Sequence, residues 1–301
     1  RSSVMNEDMI SSAELSRAAC CNLGESFVTN PSVDVSYSDA ATGAKQIKLL
    51  GLSGTYVQML TENIPNYRGA AAPYGLGYVP GPWMQSIQVS KGTSSVKNGY
   101  EAITGQINVE FKKPQLPEAD WVSANLFAST TNRYEANADA TLKLSKRWST
   151  SLLAHYENET KAHDGNDDGF VDIPQVEQYN VWNRWAYMGD HYVFQAGIKA
   201  LSETRTSGQA NHGGTMHSGD LYKVGIDTER YEFFTKNAYI FNKEKNTNLA
   251  LILSTTLHNQ DATYGRKLYN VDQTNVYASL MFETEFNPQN SFSAGLKIGR
   301  A

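Results

Sequence analysis

From residue 119 onward the chain repeats one pattern, long segments in which every second residue is apolar. Val122, Ala124, Leu126 and Ala128 share one side, while Ser123 and Asn125 take the other. The next segment sets Tyr134, Ala136, Ala138, Ala140, Leu142 and Leu144 against Glu135, Asn137, Asp139, Thr141 and Lys143. Successive side chains of a strand point to opposite faces, so period two held over about ten residues specifies a strand with one apolar and one polar face. Similar segments cover 149–159, 177–188, 191–205, 226–241, 247–259, 273–286 and 291–300, which makes about nine strands. Leu249, Leu251, Leu253 and Leu257 form one apolar face, and Val276, Ala278, Leu280, Phe282 and Phe286 form another.

These segments are longer than the usual soluble strand of about five or six residues and match a tilted membrane crossing that continues above the bilayer. Alternate connections are short, at 145–148, 189–190, 242–245 and 287–290. The intervening ones are long, at 160–176, 206–225 and 260–272, except for a first tight turn at Thr131-Asn132. Short turns on one side and long loops on the other describe an outer-membrane barrel. Trp121, Trp148, Trp185, Tyr187, Tyr192 and Tyr231, near segment ends, suit interfacial girdles. The mean hydropathy of -0.47 fits this reading, because lipid-facing and lumen-facing positions cancel in an average. No apolar run approaches the length of a transmembrane helix, which leaves strand-built membrane proteins open. A net charge of -5 and scattered basic residues argue against a nucleic-acid partner.

Residues 1–117 have a different texture. Ser11 or Ser12 caps a short helix over 13–22 that Gly24 ends. Short strands are expected at 33–36, 45–50, 56–60, 86–90 and 105–111, with a long Pro- and Gly-rich loop at 63–83. Pro114 and Pro117 punctuate a linker. The organisation expected is therefore a small mixed α+β domain at 1–117 and a β domain at 118–301. Cys20 and Cys21 are adjacent, so they do not staple distant parts of the fold. Two semi-buried thiols on a helix, or a thiol pair touching a soft metal in transit, are the readings open to them.

Specific stretches of the first domain carry a family likeness. Lys48-Leu49-Leu50-Gly51-Leu52, followed by 56–65 ending in Thr61-Glu62-Asn63-Ile64-Pro65, resembles the plug of TonB-dependent receptors, with Thr-Glu-Asn at the usual Asp-Gly corner. Met84-Gln85-Ser86-Ile87-Gln88-Val89-Ser90-Lys91-Gly92 is similar to the family's I-x-x-I-E-V-x-[RK]-G strand, with Gln88 in place of Glu. Gly99-Tyr100-Glu101-Ala102-Ile103-Thr104-Gly105-Gln106-Ile107-Asn108-Val109 is similar to its YG-x-x-A-x-x-G-x-I-N-I motif. Gly105 is expected where a strand passes close to its neighbour. The style resembles receptors of Bacteroidetes-type bacteria, including relatives of cobalamin and haem receptors.

The resemblance implies a mainly β fold, with an N-terminally incomplete plug followed by about nine antiparallel strands of an incomplete transmembrane barrel of nominally about 22 strands. It implies residence in the bacterial outer membrane, in contact with its lipid, and active transport of a scarce small-molecule or metal-chelate nutrient. The energising partner would be TonB and its inner-membrane complex, with a surface lipoprotein as a further partner. The usual TonB box is not visible in this sequence. The competing class is a secreted or surface β-rich binding module.

The plug's apical loop, with Asn66, Tyr67, Arg68, Tyr74 and Tyr78, is implied by the resemblance to form the floor of a substrate cavity; stacking and hydrogen bonding would suit a large polar ligand, and packing against the barrel wall is the alternative. His212, Met216 and His217, in a Gly-rich loop, present imidazole and thioether suited to copper or haem iron, or form a solvated loop with no ligand. Asp164, Asn166, Asp168, Phe170 and Asp172 fit D-x-N-x-D-G-x-x-D, the spacing of a Ca2+ loop. Position twelve is Gln175 instead of Glu, and an acidic hairpin of Asp-Gly turns fits equally. Neither G-x-S-x-G nor H-E-x-x-H, a Walker loop or G-x-G-x-x-G occurs, and the expectation is a protein that is not an enzyme.

Overall fold

The computed structural model describes residues 6–18, 22–27, 33–92, 101–114, 121–210, 221–287 and 289–300. The first domain is built on a five-stranded sheet in the order β1-β6-β7-β4-β5. Its strands are β1 (Asn6–Ile10), β4 (Val57–Thr61), β5 (Ile64–Pro65), β6 (Met84–Lys91) and β7 (Gly105–Phe111). A separate hairpin pairs β2 (Asp34–Asp39) with β3 (Ala44–Lys48). The sequence pattern foreshadows all of these except the two-residue β5, which falls in the expected loop 63–83, and β1, whose polar run Asn-Glu-Asp-Met-Ile has no alternation to reveal it. β1 exists because it pairs along β6.

Helix α1 (Ser12–Ala18) is shorter than the expected 13–22, and Cys20 and Cys21 lie outside the described residues. Its start is a capping box: the Glu14 carboxylate accepts from both the backbone N–H and the hydroxyl of Ser11 at 2.8 Å. The central strand β7 runs parallel to β4 and antiparallel to β6, with Ile107, Val109 and Phe111 almost fully buried. Gly105 sits where the two strands are tightest. A Cβ there would collide with the Ser90 carbonyl oxygen and approach Leu49 Cδ1 to 2.8 Å, so the close approach expected of this glycine is present.

The second domain is one nine-stranded antiparallel meander in which each strand pairs with the next. It comprises β8 (Trp121–Ala128), β9 (Arg133–Lys143), β10 (Trp148–Glu159), β11 (Gln175–Met188), β12 (Tyr192–Gly208), β13 (Lys223–Asn242), β14 (Thr247–Tyr264), β15 (Lys267–Asn287) and β16 (Asn290–Arg300). The apolar alternates, such as Leu142, Leu152, Val181, Leu253 and Leu280, lie exposed on the outer face, whereas polar residues of the opposite parity, such as Asn137, Ser151, Asn180, Thr256 and Ser279, are buried on the inner face. A polar interior and an apolar exterior are the inverse of a soluble sheet and the rule for a barrel in lipid.

Two expectations are corrected. The segment 260–272 is not a long loop: β14 runs to Tyr264 and β15 starts at Lys267, joined through Gly265 at φ +61°. Both strands continue beyond the apolar band with polar residues on their outer face as well. Asn259 pairs with Asp272 and Asp261 with Asn270, so the alternation fades although the ladder persists. Trp121 does not belong to an outward girdle. It shares the inner face with Ser123, whose hydroxyl bonds Asp139, and the Lys112 ammonium lies 4.9 Å from its ring centroid. Period-two parity overrides the preference of a terminal aromatic for the interface. Trp148, Tyr187 and Tyr192 do cluster on the outer face at the short-turn end, with ring centroids 5.1 and 6.1 Å apart in successive pairs.

The outward parity predicts that Leu253→Arg in the intact protein costs about 2–4 kcal/mol if the residue sits near the bilayer midplane. Urea unfolding in lipid vesicles measures it; no loss of stability would place this face outside the bilayer.

Candidate functional site

The first domain meets the inner face of the sheet along a seam with an aromatic centre and charged flanks. Phe111 stands edge-on to Trp182 at 4.6 Å, and Trp83 and Phe234 each approach the same indole at 6.2 Å. The Arg184 guanidinium lies 4.5 Å from the Trp182 ring centroid, donates to the Lys112 carbonyl at 2.7 Å and pairs with Glu62 at 2.7 Å. Lys236 adds a hydrogen bond of 2.7 Å to the Glu62 carbonyl. Glu62 and Asn63 form the corner between β4 and β5 with φ of 50° and 64°, a left-handed pair that favours Asn or Gly. Glu is unusual there, and its carboxylate is what the wall holds. The remaining void in the seam is about 30 Å³, room for little more than a water or two.

Of the predicted ligand-facing residues, Asn66, Tyr67 and Tyr78 are part of this seam. Asn66 donates to Glu232 at 2.8 Å and accepts from Arg230. The Tyr67 hydroxyl accepts from Lys199 at 3.2 Å, with Arg230 5.3 Å from its ring centroid. The Tyr78 carbonyl accepts from Asn180 at 3.0 Å and Lys199 at 3.2 Å. Tyr67 and Tyr78 are buried, and burial pushes both phenols up from the ordinary tyrosine value, so they stay neutral. Arg68 pairs within its own domain, 2.8 Å from Glu101. Tyr74 lies under Arg205 at 5.0 Å and lines a crevice of about 290 Å³ on the long-loop side. Lys45, Arg133, Glu157, Glu159 and Gln178 also face this crevice.

The acidic loop 164–172 is a set of side-chain-capped turns. Asp164 accepts from the N–H groups of Asp168 and Gly169 at 3.1 and 2.8 Å, Asp168 from Phe170 at 2.8 Å, and Asp172 from Gly165 at 2.6 Å. Asn166 donates to Asp168 at 2.9 Å. Among the described residues no three or more His, Cys, Asp or Glu side chains gather as a metal site. His212, Met216 and His217 lie outside the described residues.

Residues 1–106 match the model of the TonB-dependent Receptor Plug Domain family. That first third is a plug domain of the TonB-dependent receptor type. The fold of the chain as a whole is that of the plug and barrel of solved outer-membrane receptors. The alcaligin outer-membrane receptor FauA of Bordetella pertussis superposes with a TM-score of 0.75 at 12% identity, over 99% of this chain and 46% of FauA. The ferripyoverdine receptor of Pseudomonas aeruginosa gives 0.69 at 13%, over 94% of this chain and 39% of its own. The open form of the ferric-catecholate import receptor Fiu of E. coli K12 gives 0.67 at 15%, over 94% and 45%. The chain thus spans less than half the length of these three structures. No curated protein matches it in sequence.

The clamp residues on the wall, Arg184, Lys199, Arg230, Glu232 and Lys236, escaped sequence reasoning. Their signal was present: charged residues at inward positions of apolar-alternating segments, as in Lys199-Ala200-Leu201-Ser202-Glu203 and Arg230-Tyr231-Glu232. Which plug group each one meets is a tertiary fact.

Glu62 gives this clamp a pH dependence. Burial by itself raises its carboxyl, but the Arg184 guanidinium and the Lys236 ammonium overcome that and hold it below the ordinary 4.5. A depressed folded value means that the contribution is complete above 4.5 and is lost as pH falls through the lowered value. In the intact receptor, Glu62→Gln leaves the Arg184 charge buried without its counter-ion, a loss of about 3–5 kcal/mol. Amide hydrogen exchange over 57–65 should quicken in the variant at neutral pH, and in the natural protein only in acid. Equal protection in both proteins at neutral pH would refute the clamp.

Proposed function

We propose that this chain supplies the plug and a run of barrel strands to a receptor that imports a scarce nutrient of the iron-chelate type across the outer membrane. The observation that carries the reading is the plug domain packed against the polar face of a membrane-type sheet whose other face is apolar. The seam leaves no solute-sized passage, so import requires the plug to shift, and a pull through TonB from the inner membrane supplies the work. Cargo would bind on the long-loop side, where the crevice at Tyr74, Lys45 and Glu159 lies. An iron-chelate class is supported by the cargo named for the similar receptors, ferripyoverdine and ferric catecholate. A broader range that includes other metal chelates, cobalamin and haem shares the same route.

A secreted binding module in water is disfavoured by contiguous exposed Leu126, Leu142, Leu152, Val181, Leu253 and Leu280, a patch beyond what soluble monomers expose. The test is growth of cells carrying the intact receptor on a panel of ferric chelates as the iron source, with and without TonB. Growth on at least one chelate that disappears without TonB is expected. TonB-independent growth, or an intact protein soluble without detergent, would overturn the reading.

A further inference from the structure

The charges around Arg133 do not balance. This residue opens β9 on the inner face, and its guanidinium lies 2.9 Å from Glu25 of the plug, 2.7 Å from Glu135 and 3.0 Å from Glu157. Only the contact with Glu25 is aligned as a hydrogen bond; the Nε and Nη2 hydrogens do not point at their carboxylates. Glu159 stands directly opposite Arg133 in the β9–β10 register, on the same face as Glu157. It is 6% exposed, and among the described residues no side chain or backbone N–H pairs with it. Lys45 reaches the crevice from the plug and lies 5.4 Å from the Tyr37 ring centroid. The Arg205 guanidinium in the same crevice is taken by Glu203 at 2.9 Å, so Glu25, Glu135, Glu157 and Glu159 face the Arg133 guanidinium and the Lys45 ammonium, and Glu159 is the carboxylate left over.

A second orphan lines the same crevice. Gln178 is 1% exposed, and its Nε2 donates to the Gly77 carbonyl at 3.2 Å and to Glu203 at 2.7 Å, which fixes the orientation of the amide. Its Oε1 is buried with no donor. The crevice is thus lined by two acceptors with no donor among the described residues, the Glu159 carboxylate on its wall and the buried Gln178 Oε1. A buried amide oxygen without a donor is unfavourable, and local departures of this kind concentrate where function needs them.

We propose that the crevice binds an organic cation, the ammonium or guanidinium arm of the imported ligand, with Glu159 as its counter-ion and Gln178 Oε1 as a second acceptor. This rests on the receptor reading above and narrows its substrate class. A cationic arm brings the donors that both orphans lack, whereas a polyanionic arm brings only acceptors into surplus negative charge. At about 290 Å³ the space is at the small end of ligand pockets, which run roughly 300–1,000 Å³, so it takes one arm of a large ligand and not the whole. Thr131 and Ile173, from the first tight turn and the acidic loop's strand-side end, border it, which puts its mouth on the long-loop side.

The experiment is equilibrium binding to the full-length receptor in detergent, read by saturation-transfer NMR, with argininamide as the cationic probe, citrate as the anionic one and calcium as a competing metal. Argininamide should bind saturably. The affinity should fall roughly tenfold or more in Glu159→Gln, as expected for loss of a charge-assisted hydrogen bond. It should persist in Glu159→Asp and be unchanged in Glu177→Gln, a control on the outer face. Glu159→Gln should also unfold no more easily than the natural protein, because it removes an uncompensated charge. Absence of saturable argininamide binding, equal binding by Glu159→Gln, tighter binding of citrate, or displacement by calcium that depends on Glu159 would each overturn the proposal. Binding is measured without TonB, so loss of TonB-dependent growth with binding intact would count against the transport reading alone.

Discussion

A charge on the inner wall of a barrel has to find its partner inside, since lipid lies behind it. Arg184, Lys199, Arg230 and Lys236 all stand on inward positions of strands whose outward positions are apolar. Each is met by a plug group: the Glu62 carboxylate, the Tyr67 hydroxyl and Tyr78 carbonyl, the Asn66 amide, and the Glu62 carbonyl. The plug is thus the solvent that the wall's charges lack. Without it these groups would face an open lumen, and without the wall the left-handed Glu62 corner would have no counter-charge to hold it.

That dependence gives the seam two components. Aromatic contacts around Trp182 give it non-directional adhesion, and the flanking ion pairs give it a register. Buried ion pairs contribute less net stability than their Coulomb attraction suggests, because water must be stripped from both partners. The crevice around Arg133 differs in kind. There the charges are unequal, and the acceptors at Glu159 and Gln178 have no donor among the described residues.

Much of this was legible in the chain. The alternation from 119 onward set nine strands and their faces, and the strands in the structure follow it within a few residues. The motif stretches 84–92 and 99–109 became β6 and β7 around Gly105. Reading failed where the periodicity was hidden. β1 is too short and polar to alternate, and the 260–272 segment is polar on both faces above the apolar band, so a strand pair looked like a loop. Trp121 failed for the opposite reason, because residue type was weighed above parity.

The sequence by itself determined which residues point inward and which outward, because a strand's side chains alternate whatever it packs against. It also determined the plug family, through glycines and strand motifs whose spacing is local. The tertiary structure alone decided the partners. Glu62 lies 122 positions from Arg184 and 174 from Lys236, and Glu25 lies 108 from Arg133. Charge pairing over such separations leaves no period in the chain. The same holds for Tyr67 and Tyr78, which the family resemblance offers as ligand platforms and which the fold packs against the wall, while Glu159, on no motif of the sequence, faces the crevice without a donor among the described residues.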